Sequence, residues 1–290
     1  MKFAFYPGCS LLSSGREYYE SFMLISKALD IELVELPDWS CCGTHASYIF
    51  NKKFAVSLAS RNLAIAESLS LDLMTPCSGC YQSLSKASSL LEDPKLRDEV
   101  NNVLSDMGLK YEGKIKIRHA LDVIVNDIGI NKISEKVSRP LKGLKVAPYY
   151  GCATIRPQYP NSFSDPYNPQ SLEQLIVALG AESVSYPDKT RCCGGNLIMR
   201  KEAVAFEMIK KLLLNAKALG SHCIITPCPL CHMALDVMQT RIESAFKIKI
   251  DLPILYFTQL IGLAYGIEPK KLELNRHAVS PMKLLTLTQT

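Results

Sequence analysis

Eleven cysteines stand in the 290 residues, and ten of them fall into two matching sets. Cys9 is followed by Cys41-Cys42-Gly43 and then by Cys77-Ser78-Gly79-Cys80. Cys152 is followed by Cys192-Cys193-Gly194 and then by Cys228-Pro229-Leu230-Cys231. Thiolates are soft ligands that select zinc or iron–sulfur clusters over hard cations. A lone C-x-x-C is compatible with zinc, with a dithiol redox pair or with neither. Here each set adds an adjacent pair and an upstream cysteine. Zinc takes four ligands in a tetrahedron and has no use for a fifth thiolate. Adjacent cysteines reach different irons of a cluster more easily than they share one small ion. The pattern favours an iron–sulfur cluster in each half, with structural zinc as the alternative. Cys223 has no counterpart in the first half and is expected to be a core residue.

The spacing repeats with the residue types. In both halves 34 residues separate the adjacent pair from the C-x-x-C, and the first gap is 31 residues in one half and 39 in the other. Tyr6-Pro7-Gly8-Cys9 parallels Tyr149-Tyr150-Gly151-Cys152, and Thr75-Pro76-Cys77 parallels Thr226-Pro227-Cys228. So many matches indicate duplication of one unit.

The elements that must position these cysteines repeat as well. Short apolar runs at 2–6, 31–36 and 71–75, and at 144–150, 182–186 and 222–226, predict buried strands. Apolar residues three and four apart predict helices over 16–29, 52–69, 169–179 and 200–219. Each C-x-x-C is expected to open a further helix, where Pro76 and Pro227 suit the turn. Strand–helix units over 114–129 and 253–266 close the halves. Strands alternating with helices imply an α/β fold with two small, mostly parallel sheets flanked by helices. Every cysteine then leaves the C-terminal end of a strand, where open α/β sheets gather their sites. The polar stretch 130–143 is expected to be a linker, dividing the chain into domains 1–137 and 138–290.

Composition narrows the function classes. The chain is 48% hydrophobic with a formal net charge of +5, and its basic residues are scattered, so no nucleic-acid partner is expected. No apolar run has the length of a membrane span, and the start lacks the apolar core of a signal peptide, so a cytoplasmic location is expected. There is no G-x-G-x-x-G and no P-loop, so neither flavin nor nucleotide is expected in this chain. The ferredoxin run C-x-x-C-x-x-C-x-x-x-C-P is absent too, so electrons are expected from another subunit.

The pattern Cys, Cys-Cys-Gly, Cys-x-x-Cys, present twice, resembles the CCG signature of the B subunit of heterodisulfide reductase over nearly the whole chain. The wording at 41–45, 257–260 and 276–281 looks more like bacterial or sulfur-metabolising members of that family than like methanogen enzymes. The resemblance implies two pseudo-symmetric CCG domains, each with a non-cubane [4Fe-4S] cluster. One cluster would fall to Cys9, Cys41, Cys42, Cys77 and Cys80, the other to Cys152, Cys192, Cys193, Cys228 and Cys231. It also implies catalysis through those ten cysteines: a disulfide bound between the clusters is reduced, or formed, in two one-electron steps. The partners implied are a C-like ferredoxin-type [4Fe-4S] subunit and an A-like flavoprotein. Alternatives are an electron-transfer subunit of a lactate, glycolate or succinate/fumarate oxidoreductase, or a subunit of a sulfur-oxidising complex of related type.

Four further residues are candidates: His45, Arg191 and His232 beside the motifs, and His277 in the C-terminal tail. Each is a candidate to steer an anionic substrate or give protons to departing thiolates. The competing reading for each is a hydrogen-bonded neighbour without contact to substrate.

Overall fold

The computed structural model describes residues 1–159 and 162–287, apart from the side chains of His45 and Ala46. Two four-stranded sheets run through it, all pairs parallel. The first contains β1 (Lys2–Phe5), β2 (Glu32–Glu35), β3 (Leu73–Thr75) and β4 (Ile117–His119), in the order β2-β1-β3-β4. The second repeats this with β5 (Lys145–Pro148), β6 (Glu182–Ser183), β7 (Cys223–Thr226) and β8 (Ile254–Tyr256), ordered β6-β5-β7-β8.

The patterning explains which strands are central. β3 and β7 are buried along their whole length. Strands covered on both faces read as continuous apolar runs. β2 and β6 carry Glu32, Glu35 and Glu182 and occupy the edges, where charge discourages further pairing. The four expected helices are present at Arg16–Ala28, Lys52–Ser68, Ser171–Ala178 and Glu202–Ala218. Cys223 lies fully buried in β7, as expected of a core residue.

The linker expectation needs correction. Residues Ile130–Glu135 are helical and continue a π-helical segment, Val123–Gly129. Ile133 is fully buried, with Ile130 and Val137 packed against the same core. Ile130 and Ile133 share one helix face and Val137 follows just beyond the helix end, a pattern that the polar composition of the stretch masks. The following turn is also pinned, because the amides of Ser138 and Arg139 both donate to Ala264 O.

Packing is continuous between the halves. Helix Arg16–Ala28 of the first lies against helix Phe257–Ala264 of the second. Tyr18 stacks on Tyr256 with centroids 4.1 Å apart at 9°, and Ser21 Oγ lies 2.7 Å from Thr258 Oγ1. Helix Ile130–Glu135 packs reciprocally on Ser171–Ala178.

Candidate metal centres

Three strand ends in each sheet deliver the cysteines. Cys9 sits in the short helix Gly8–Leu11 beyond β1, and Cys41 and Cys42 in the loop beyond β2. Cys77 caps the helix Ser78–Leu90 beyond β3, and Cys80 lies in its first turn. The second half repeats this: Cys152 follows β5, Cys192 and Cys193 follow β6, and Cys228 caps helix Pro229–Leu235, which carries Cys231.

The sulfurs of each half form one connected chain. Cys42 Sγ lies 3.4 Å from Cys80 Sγ, and thiol hydrogen-bonding interactions link Cys9 with Cys41, Cys41 with Cys42, and Cys80 with Cys77. In the other half the order is Cys152, Cys192, Cys193, Cys231, Cys228. Sulfurs this close cannot all ionise by themselves. The hydrogen bond with Cys41 pushes the Cys42 thiol up to about 12, and that with Cys192 pushes Cys193 to the same value. Sharing with Cys42 and then Cys77 raises Cys80 further, and Cys193 and Cys228 do the same to Cys231. A positively charged metal core removes the conflict by stabilising every thiolate at once.

The backbone leaves room for such a core. A Cβ on Gly8 would meet Cys80 Sγ at 2.8 Å, and one on Gly151 would meet Cys231 Sγ at 2.8 Å. Both glycines have positive φ, +71° and +68°. Amides point at the sulfurs: Gly43 N lies 3.4 Å from Cys41 Sγ, Gly194 N 3.4 Å from Cys192 Sγ, and Gly195 N 3.3 Å from Cys193 Sγ. Such donors stabilise thiolate sulfur and tune a cluster bound there. Five connected thiols with inward amides fit an iron–sulfur cluster in each half better than they fit a four-ligand zinc ion.

Each site has an outer and an inner side. Cys9, Cys41 and Cys192 are exposed and Cys152 is half-buried, whereas the other six are buried. The inner sides approach each other. Tyr18 Oη donates to Pro76 O at 2.9 Å and Pro227 O at 3.3 Å, and so joins the turns before both C-x-x-C segments. Tyr6 and Tyr149 hold the adjacent-pair loops in the same way, donating to Ser40 O and Arg191 O at 2.7 Å each.

The four secondary candidates separate. The side chain of His45 lies outside the described residues. Arg191 is exposed, paired with Asp188 at 2.7 Å, and lines a cavity of about 250 Å³ with Cys192, Met208 and Lys211. His232 and His277 lie elsewhere than a substrate-steering role requires. They form a buried pair, with Nε2 of His232 3.1 Å from Nδ1 of His277, and His232 stacks on Tyr256. Desolvation keeps both rings neutral, with His277 lowered to about 4. Asp236 beside them accepts the amides of Ala278 and Val279, so this group clamps the C-terminal segment.

Several site residues carry no motif. A cavity of about 270 Å³ next to the Cys42 loop is lined from both halves by Thr44, Tyr48, Gln82, Lys86, Pro157 and Tyr159. Lys86 Nζ lies 3.6 Å above the Tyr48 ring. A larger cavity of about 570 Å³, beside Arg139, Leu263 and Leu284, contains no cysteine. Tyr18 and Ser78 join the halves and have no spacing signal. His119 ends β4 where Tyr256 ends β8; only the repeated strand–helix unit singles these positions out.

Two parallel sheets, each gathering five thiols at the ends of three strands, define a duplicated cysteine-rich α/β protein. The chain belongs to the CCG cysteine-rich-domain family, whose model matches residues 3–85 and 146–236. It is 35% identical to a Wolinella succinogenes protein described as the 8-methylmenaquinol:fumarate reductase membrane anchor subunit, over 98% of this chain and 99% of that one. It is 36% identical to an Archaeoglobus profundus protein described as like the B subunit of heterodisulfide reductase, over 93% of each chain. It is 32% identical to the B subunit of the ferredoxin/F(420)H(2)-dependent CoB-CoM heterodisulfide reductase of Methanosarcina acetivorans, over 98% of this chain and 96% of that one. A crystal structure of a hypothetical protein from Helicobacter pylori shares the fold, with a TM-score of 0.77 at 16% identity over 96% of this chain. This chain spans about half of that one, 52%. No helix among the described residues is long and apolar enough to cross a membrane.

Proposed function

We propose that this chain is the catalytic iron–sulfur subunit of a heterodisulfide reductase-type complex, with a non-cubane [4Fe-4S] cluster in each half. The carrying observation is the pair of complete five-sulfur chains whose buried ends meet at Tyr18. When bound, each cluster supplies one-electron exchange and a soft Lewis acid for sulfur. Cleaving a disulfide takes two electrons, so two such centres in one chain match the demand.

The chain's own residues supply binding and exclusion. Lys86 in the cavity between the halves, and Arg191 with Lys211 beside Cys192, offer cations to an anionic thiol or disulfide. Buried Cys77, Cys80, Cys228 and Cys231 keep the inner sides dry. Exposed Leu12, Phe50 and Met199, which follow Cys9, Cys42 and Cys193 in the chain, offer apolar contacts to the ferredoxin-type subunit, which receives its electrons from a flavoprotein. All eleven cysteines are free, which suits a reducing cytoplasm.

A second reading is favoured by the Wolinella relative: a subunit passing electrons between a quinol and a fumarate reductase. Both readings use the same clusters and differ in what meets the outer thiols. Chain reduced anaerobically by dithionite and freed of excess reductant separates them. Release of thiol from an added anionic disulfide, abolished in Cys41→Ala and in Cys192→Ala, supports the reductase reading. Rapid reoxidation by a soluble quinone without thiol release would overturn it in favour of the second.

A further inference from the structure

The cavity of about 270 Å³ beside the Cys42 loop is built from both halves and holds a cation without a counter-charge. Lys86, on helix Ser78–Leu90, is half-buried. It makes no ion pair among the described residues, and no carboxylate of those residues lines the cavity. Its ammonium is held 3.6 Å over the Tyr48 ring. That contact fixes where the charge stands but does not neutralise it. A partly desolvated charge favours an opposite charge beside it.

The other polar groups of the lining divide into engaged and free. Ser83 Oγ donates to Cys42 O at 2.7 Å, and Gln82 Nε2 donates to Arg156 O. These bonds tie the walls to the loop of the first cysteine pair and to the opposite half. The hydroxyls of Thr44, from the first half, and Tyr159, from the second, make no hydrogen bond among the described residues. An ammonium and two hydroxyls without acceptors make a donor set for an oxyanion. The volume suits a small charged group rather than a drug-sized molecule. Arg191, by contrast, is already paired with Asp188, and the cavity it lines with Lys211 belongs to one half.

The duplication does not repeat this set. Counted from the adjacent cysteine pairs, Thr44 and Tyr48 match Gly195 and Met199; counted from the C-x-x-C segments, Lys86 matches Val237. None of those three side chains offers a charge or a hydrogen bond to an anion. We infer that Lys86, with Thr44 and Tyr159, forms a subsite for the oxyanion of a short thiol arm, present once per chain and set beside the first five-cysteine centre. The inference rests on the reductase reading above and narrows it. The substrate is a disulfide with an anionic arm, and that arm lies against the first half. Cleavage takes two electrons from the reduced chain and leaves both sulfurs as thiolates, so the oxyanion is a handle and not a reactant.

The test is anaerobic calorimetric binding of mercaptopropionate and of uncharged mercaptoethanol to the reconstituted full-length chain, with iron measured on each sample. Both probes carry a thiol, and only the first adds a carboxylate. Wild-type chain should prefer mercaptopropionate by roughly tenfold. Lys86→Met should lose that preference and keep its affinity for mercaptoethanol, while Lys86→Arg retains the preference; Lys86→Gln serves if Lys86→Met does not load iron. In cleavage driven by dithionite, Lys86→Met should raise the KM for dithiodipropionate by a similar factor and leave that for hydroxyethyl disulfide in place. A preference that survives in fully loaded Lys86→Met, or that falls only in Lys211→Met, overturns the subsite, while cleavage of either disulfide keeps the reductase reading. Binding that depends on Lys86 in a chain that cleaves neither disulfide overturns the reductase reading and leaves the subsite standing.

Discussion

The hydroxyl of Tyr18, on a helix of the first half, donates to the carbonyl of Pro227 in the second at 3.3 Å, and the same hydroxyl holds Pro76 at 2.9 Å. One phenol thus fixes the separation of the two C-x-x-C turns. Tyr18→Phe removes the donor to Pro76 O, while Pro227 O keeps the Ser78 hydroxyl at 3.1 Å, at a cost of about 1–3 kcal/mol. The ring still packs on Tyr256, so the chain should fold. Chemical denaturation should show a lower midpoint with normal iron content. An unchanged midpoint would show that the bond carries no load.

Gly8 and Gly151 make a sharper prediction, because the obstruction lies at sulfur. A methyl group at either would sit 2.8 Å from Cys80 or Cys231 Sγ, on backbone of positive φ. Gly8→Ala and Gly151→Ala should each lose about half of the bound iron. Gly220→Ala, with open space around the added methyl and also positive φ, controls for backbone strain alone. Iron retained at the wild-type level in Gly8→Ala and Gly151→Ala would contradict the close fit.

Burial of His119 has a pH consequence. Desolvation lowers its pKa from 6.5 to about 3, so between those values the unfolded chain binds a proton that the folded chain refuses. Stability from this group is complete above about pH 6.5 and declines as pH falls toward about 3. At pH 5 the loss is about 2 kcal/mol relative to pH 7. In His119→Gln that part of the decline should vanish, whatever the offset at pH 7. Urea titrations of both proteins at pH 7 and pH 5 measure it. An equal decline in both would place the acid sensitivity elsewhere.

What was legible in the sequence follows from physical range. The ten thiols and the strands that deliver them are set by local spacing and short apolar runs, and each half repeats them. Tyr18, Ser78 and His119 are different. Their partners lie in the opposite half or across a sheet, and no local pattern announces how two folded units meet. His232 adjoins Cys231 and His277 lies in the C-terminal tail, yet packing buries both beside Tyr256, a placement that no local pattern announces. The helix at Ile130–Glu135 was hidden because three apolar residues in a polar stretch suffice once a second half is there to cover them.

The central claim is that each five-cysteine set holds an iron–sulfur cluster. The most direct measurement is iron, acid-labile sulfide and zinc per chain after anaerobic purification. About eight irons and eight labile sulfides are expected, from two four-iron clusters. One or two zinc ions with no labile sulfide would contradict the account.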